Sequence, residues 1–250
     1  QTETVWRQAR RHAIPAAALV NKMAREGADL RAAVASLSGR LRLNALLLQL
    51  PLLDAAGAFT GVVDLARQRA MVWDRLPTGA RDAAPGLREV PLDALGSAPT
   101  RADVERARAE LIEAVAEVEV EGEVANLFLE EEEVDSATLD RSIRRLCHAG
   151  VAVPTLCGAS LHGLGVEPLL DAMVAYLPSP AEARVPEMLP SSQPSLAQGA
   201  EGSDGVSGSS NTAAPLEETA DAVALAFKVV HEPQSRKPLV WLRVYHGELR

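Results

Sequence analysis

The 250-residue sequence predicts an α/β fold organised on a parallel sheet. The first reason is a repeated rhythm. A short apolar run, a polar loop and an amphipathic helix follow one another over residues 14–41 and again over 151–177. The second is composition: 47% hydrophobic residues suffice for a buried core, and with only 3% aromatics that core must be aliphatic. The length allows one large or two small domains.

Residues 3–12 read as the end of a helix, with Val5, Trp6 and Ala9 as its apolar stripe and Arg7, Gln8, Arg10 and Arg11 outside. The run 14–20 ends at a polar Asn-Lys pair, as a buried parallel strand ends at its carboxyl edge. Helical spacing returns through Leu30, Val34, Leu37 and Leu41. Residues 46–50 and 58–65 read as strands broken at Pro51 and Gly57, and a third strand ends at Trp73. Residues 77–99 hold four prolines and read as loop.

The clearest helix spans 102–130, its apolar positions Val104, Ala107, Leu111, Ile112, Val115 and Val118 stepping by three and four. Phe128 and Leu129 are expected to continue that stripe after a bend near Gly122, and Glu130 to Glu133 to form a solvated face. A second helix covers 136–149 and closes at Gly150. Residues 151–157 read as a buried strand, broken by Gly158. The helix from Val166 is expected to face Leu169, Leu170, Met173, Val174 and Leu177 inward before Pro178 and Pro180 stop it. Residues 183–220 are rich in Ser, Gly and Pro and read as a flexible linker. Two strands follow at 223–230 and 239–245.

The net charge of −9 argues against a general nucleic-acid coat. The average hides an asymmetry: residues 1–50 carry eight Arg or Lys against three acids, and residues 101–140 carry fourteen acids against three Arg. Such a split suits faces that meet different partners, and solvated helix faces produce it as well. Cys147 and Cys157 cannot form a disulfide framework or a four-ligand metal site and read as reduced, buried thiols. The five histidines do not fall in metal-ligand spacing, and no metal site is expected in this chain. No apolar run reaches the roughly 18 residues that would span a bilayer. The chain opens on Gln1 without a targeting pattern and is expected to lack its own N-terminus.

Ligands of parallel sheets sit outside the carboxyl ends of the strands. That places Asn21-Lys22-Met23-Ala24 and Gly158-Ala159-Ser160-Leu161 at one edge. A loop of the form Asn-Lys-x-Asp reads a base. The Lys stem packs along the purine, Asn ties the loop to neighbouring backbone, and the Asp carboxylate accepts two hydrogen bonds that guanine can donate and adenine cannot. Here the fourth position is Ala24, which lacks that carboxylate. The second loop would support the other side of the base through backbone N–H groups, with Gly158 permitting close approach. Plain strand-end turns account for either loop taken alone. No Gly-x-x-x-x-Gly-Lys-Ser/Thr stretch, Mg²⁺ site or water-positioning residue is found, so hydrolysis by this chain alone, and any catalytic residue in it, is not expected.

Read with their flanks, these loops resemble the elongation factor G family of translational GTPases. The matching stretches include Gln1-Thr-Glu-Thr-Val-Trp-Arg-Gln-Ala9, Val20-Asn-Lys-Met23, Phe59-Thr-Gly-Val-Val-Asp-Leu65, Val153-Pro-Thr-Leu-Cys-Gly158, Gly165-Val-Glu-Pro-Leu-Leu-Asp-Ala172 and Ala224-Leu-Ala-Phe-Lys228. They stand in the family's order along nearly the whole chain. Pro238-Leu-Val-Trp-Leu-Arg-Val-Tyr245 and Leu46-Leu-Leu-Gln-Leu-Pro51 are most similar to the family's mitochondrial ribosome-recycling branch.

The resemblance implies that residues 1–182 are the C-terminal half of a P-loop GTPase domain, with an α+β insert at about 39–146. It further implies that residues 221–250 begin a β-barrel domain. GTP is the implied cofactor, bound here through Asn21, Lys22, Ala24, Gly158, Ala159, Ser160 and Leu161, with Mg²⁺ entering only through the missing N-terminal half. The implied protein is a monomer in the mitochondrial matrix, apart from any membrane. It would meet the mitochondrial ribosome through rRNA and stalk proteins and split ribosomes after termination with ribosome recycling factor. A translocating elongation factor G, or a ribosome-binding remnant without guanine recognition, stands as the alternative. Two departures from the family's pattern bear on this: Ala24 for the guanine-binding Asp, and Ala159-Ser160 where the family has Ser-Ala.

Overall fold

The computed structural model describes residues 2–74, 86–92, 99–183, 222–231 and 237–247, and divides into two units, Gln1–Glu182 and Ala183–Arg250. The first unit is built on a parallel sheet. Strand β1 (Ala18–Val20) follows helix α1 (Thr2–Arg11), strand β2 (Asn44–Leu47) follows helix α2 (Leu30–Leu41), and strand β7 (Ala152–Cys157) lies between them. Every residue of β7 is buried, which is why it reads as an unbroken apolar run. The register pairs Val20 with Cys157 on one side and Leu47 with Thr155 on the other. The expected strand over 14–20 shrinks to its last three residues: Ala13 has a positive φ of 47° and Ile14 is exposed, so the strand cannot begin before the chain has turned back toward the sheet.

One residue joins this sheet to a second. Leu48 donates its N–H to the Thr155 carbonyl at 2.9 Å and accepts from the Leu65 N–H at 2.8 Å, so β2 runs almost directly into β3 (Gln49–Leu53). That strand edges an antiparallel sheet with β4 (Phe59–Asp64), β5 (Arg69–Trp73) and β6 (Leu87–Val90), in the order β3-β4-β5-β6. Pro51 does not break the strand as its sequence position suggests; it sits within β3 opposite Val62. An edge strand tolerates proline because one side needs no ladder donor. β6 corrects the loop reading of 77–99. Its four residues are too short and too charged to signal a strand, and they are held by pairing with β5 and by the Arg88–Asp74 ion pair at 2.8 Å. Gly61 marks the tightest place in this sheet, where an added Cβ would lie 2.4 Å from the Met71 carbonyl oxygen and 2.9 Å from Leu52 Cδ1.

The helices pack against these sheets. Helix α3 (Arg101–Val118) starts at a capping box of Thr100 and Asp103. It stops well short of the expected end, and α4 (Glu123–Leu129) restarts after Gly122. The cause is Glu119, a buried carboxylate that accepts from the Val124 N–H and pairs with Arg145 of α5 (Ser136–His148). Phe128 and Leu129 are exposed rather than continuing the stripe, and α4 buries Val124 and Ala125 instead. Arg108 is also buried. It donates to the carbonyls of Leu65 (2.6 Å), Ala66 (2.8 Å) and Val134 (2.8 Å), satisfying a charge that could not otherwise be hidden.

Helix α6 (Val166–Tyr176) turns only part of the expected face inward: Leu169 and Leu177 pack against the core. Pro168, Ala172 and Tyr176 are buried, while Leu170, Met173 and Val174 are exposed. The Tyr176 hydroxyl donates to Asp140 of α5, and Arg67 reaches the same carboxylate at 3.1 Å. This polar anchor, together with the packing of Leu169 and Leu177, sets the helix's rotation. The second unit is a hairpin of β8 (Ala222–His231) and β9 (Pro238–Gly247), running from Ala222 opposite Gly247 to His231 opposite Pro238. Apart from Ala183, the linker expected over 183–220 lies outside the described residues.

Two outcomes are expected. Gly61→Ala destabilises the first unit by about 1–3 kcal/mol through overpacking, read as a lower denaturant midpoint with an unchanged slope. Cys147 and Cys157 are both free and buried, and burial pushes their thiols up to about 11 and about 12. Neither thiol reacts with a thiol-specific disulfide reagent at about pH 8 in the native state, and both react in denaturant.

Candidate functional site

The level carboxyl ends of β1 and β7 bring the two predicted loops together. The Gly158 N–H donates to the Val20 carbonyl at 3.0 Å, and the Met23 N–H donates to the Gly158 carbonyl at 3.0 Å. Asn21 completes the link. Its Oδ1 accepts from the Lys22 N–H at 2.8 Å and from the Ser160 N–H at 3.0 Å, and its Nδ2 donates to Ser160 Oγ at 2.8 Å. Sequence reasoning assigns Asn21 the task of tying its loop to neighbouring backbone, and the backbone it reaches is that of the other loop. It misses the Ser160 hydroxyl. The only available signal is a polar residue at that position, which without the fold has no partner.

The rest of the first loop follows from one buried anchor. Met23 is buried beside Leu30, Phe59, Met71 and Trp73, while Asn21, Lys22 and Ala24 around it are exposed. Lys22 adopts a positive φ of 69°, a conformation that costs a non-glycine residue about 1 kcal/mol or more and persists only where surroundings enforce it. The Met23 anchor and the Asn21 bonds enforce it. Ala24 brings no polar side chain to the site. Asp29, further along the chain, uses its Oδ1 to accept from the Ala32 N–H as the N-cap of α2.

Gly158 and Gly165 lie back to back. A Cβ on Gly158 would come 2.8 Å from the Leu164 carbonyl oxygen, and one on Gly165 would come 2.8 Å from both the Cys157 carbonyl oxygen and Gly158 Cα. The close approach inferred for Gly158 is therefore made by the chain itself at the entry to α6. Ala159 is buried and gives its N–H to the Leu164 carbonyl at 2.8 Å. Of the four amides in the second loop, those of Gly158, Ala159 and Ser160 are thus engaged internally. No described residue accepts from the Leu161 amide, in a short 3-10 turn (Ser160–His162) at the solvent edge. No group of three or more His, Cys, Asp or Glu that could hold a metal ion occurs among the described residues, and no described helix is long and apolar enough to cross a membrane.

Taken together, the parallel sheet, the alternating helices and two loops clasped at the carboxyl edge define an α/β domain with its binding edge at the strand ends. The chain belongs to the family described as the elongation factor Tu GTP binding domain, whose model matches residues 1–179. It is 42% identical to "Elongation factor G 2" of Streptomyces coelicolor over all of this chain and 32% of that protein. It is 36% identical to "Ribosome-releasing factor 2, mitochondrial" of Mus musculus and 38% identical to that of Bos taurus, each across the whole chain and 28% of the relative. The chain therefore spans about a third of the length of the curated relatives it matches. A crystal structure of a Thermus thermophilus protein superposes with a TM-score of 0.66 at 25% identity, covering 98% of this chain and 29% of that one.

Asn21→Ala removes both side-chain bonds to Ser160. It is expected to cost about 1 kcal/mol and to speed hydrogen exchange at the Ser160 amide while leaving the β7 amides protected.

Proposed function

We propose that this chain carries the base-reading edge of a GTP-binding translation factor that acts on the mitochondrial ribosome, splitting it after termination together with ribosome recycling factor. The observation that carries the reading is the clasp of Asn21 to the 158–161 loop, which sets two separate loops at one sheet edge. Asn21, Lys22 and Ala24 line one side of the base on this reading, and Gly158, Ala159, Ser160 and Leu161 the other. The exposed Lys22 stem covers the purine face and the Leu161 amide faces an acceptor on its edge. Gly158 and Ala159 shape the loop, their amides being engaged already. GTP fits this arrangement with one deficit, the carboxylate missing at Ala24. Mg²⁺ enters only through the phosphate-binding part of the whole factor, which also supplies hydrolysis.

Residues 1–182 form the C-terminal part of the GTPase domain, with the insert at about 39–146 facing the ribosomal stalk. The described strands within 221–250 are the first strands of a β-barrel. Identity to mitochondrial ribosome-releasing proteins across the whole chain supports a recycling role in the mitochondrial matrix. The higher identity to a bacterial elongation factor G favours a second reading, a translocating bacterial factor. The two separate in one assay on the whole factor: recycling requires ribosome splitting with ribosome recycling factor, and translocation without splitting supports the second.

Restoring the carboxylate tests the base reading. Ala24→Asp is expected to raise GTP affinity by about tenfold, as one charge-assisted contact of about 1–3 kcal/mol is regained. Titration with a fluorescent GTP analogue measures it. An unchanged affinity would show that this loop does not read the base.

A further inference from the structure

Most of the described arginines of the first unit that lack an ion pair gather in one place. Of the sixteen arginines in its described part, nine form ion pairs and Arg108 is satisfied by three carbonyls. Five of the remaining six, Arg7, Arg10, Arg11, Arg40 and Arg42, line a single pocket of about 410 Å³ between the ends of α1 and α2. Among the described residues none of the five meets a carboxylate within ion-pairing distance, although Glu3 also lines the pocket. The two helices are locked there by the Trp6 indole N–H, which donates to the Leu41 carbonyl at 3.1 Å. The pocket is therefore a fixed convergence of two segments some thirty residues apart, in a chain whose net charge is −9.

Helix dipoles account for part of this charge. Arg10, Arg11 and Arg40 lie in the last turns of α1 and α2, where cations are favoured. Two helix ends offset only about one elementary charge between them. Five guanidinium groups against Glu3 leave a clear excess, held together despite mutual repulsion.

We infer that this pocket is a docking site for the phosphate backbone of RNA. All five groups are arginine, whose planar fork matches phosphate oxygens in pairs. The alternative anion, an acidic peptide, suits the pocket less well. An extended peptide puts successive side chains on opposite faces, so same-face charges stand about 6–7 Å apart. Per length of axis, a peptide acidic at every residue carries one charge per about 3.3 Å, and a nucleic-acid duplex carries one per about 1.7 Å. Five unpaired cations around one small pocket match the denser array. This deepens the ribosomal reading by naming a surface that would touch RNA, and it does not depend on the nucleotide site.

The test uses the full chain and a fluorescent RNA hairpin of about 20 base pairs, followed by anisotropy across a salt series. Arg7→Gln/Arg11→Gln/Arg40→Gln removes three charges that hold no other part of the fold. It is compared with Arg101→Gln/Arg106→Gln/Arg141→Gln, which makes the same change in net charge elsewhere. The pocket variant is expected to bind at least tenfold more weakly and to lower the log–log salt slope by about 2–3, with the control within twofold of the parent. Both should keep the parent's circular dichroism and its GTP titration, which separates this inference from the base-reading one. Equal loss in the two variants, or no salt-dependent RNA binding by the parent, would overturn the proposal. So would a poly-glutamate peptide that binds the pocket in preference to the hairpin, which would assign the surface to an acidic protein.

Discussion

The parallel pairing of β1 with β7 is the interaction on which the site depends. Because Val20 stands opposite Cys157, the residues that follow each strand emerge level with one another. A shift of one residue would carry Asn21 away from Ser160 and turn the alternate residues of a three-residue strand to the wrong face. The register is held by the buried length of β7 and then clasped at its end by Asn21, Gly158 and Met23. The clasp in turn holds Lys22 in its left-handed conformation. Local strain at the loop is thus supported by burial far along the strand.

The same sheet is tied to its neighbour by polar groups placed where an apolar core would leave backbone unsatisfied. Leu48 serves both sheets through its own N–H and carbonyl. Arg108 gathers carbonyls from the end of β4 and the approach to α5, and Glu119 caps α4 while pairing with α5. Such groups are strongly destabilising when one partner is removed and contribute little net stability when all are present. Their value lies in making one arrangement of the layers better satisfied than the rest.

Much of this was legible in the sequence where local pattern and tertiary packing agree. Helix α2 and strand β7 follow their apolar patterns closely, and the shared edge of the two loops followed from the strand–loop–helix rhythm. Reading failed where a buried polar side chain decides the geometry. In α6, Tyr176 on Asp140 leaves only Leu169 and Leu177 of the expected stripe packed inward, and the end of α3 is set by Glu119. β6 was hidden because four residues with two charges carry no strand signal alone. At the site, the types of residue could be read, but the hydroxyl of Ser160 acquires meaning only when the fold sets Asn21 beside it.

On the proposed reading, the two clasped loops act as one base-binding edge. Hydrogen exchange of the whole factor with and without guanine nucleotide tests it most directly. Nucleotide is expected to slow exchange together in residues 21–24 and 158–161, because one ligand closes a shared edge. Protection of the phosphate-binding region with neither loop affected, or with only one of them affected, would contradict it.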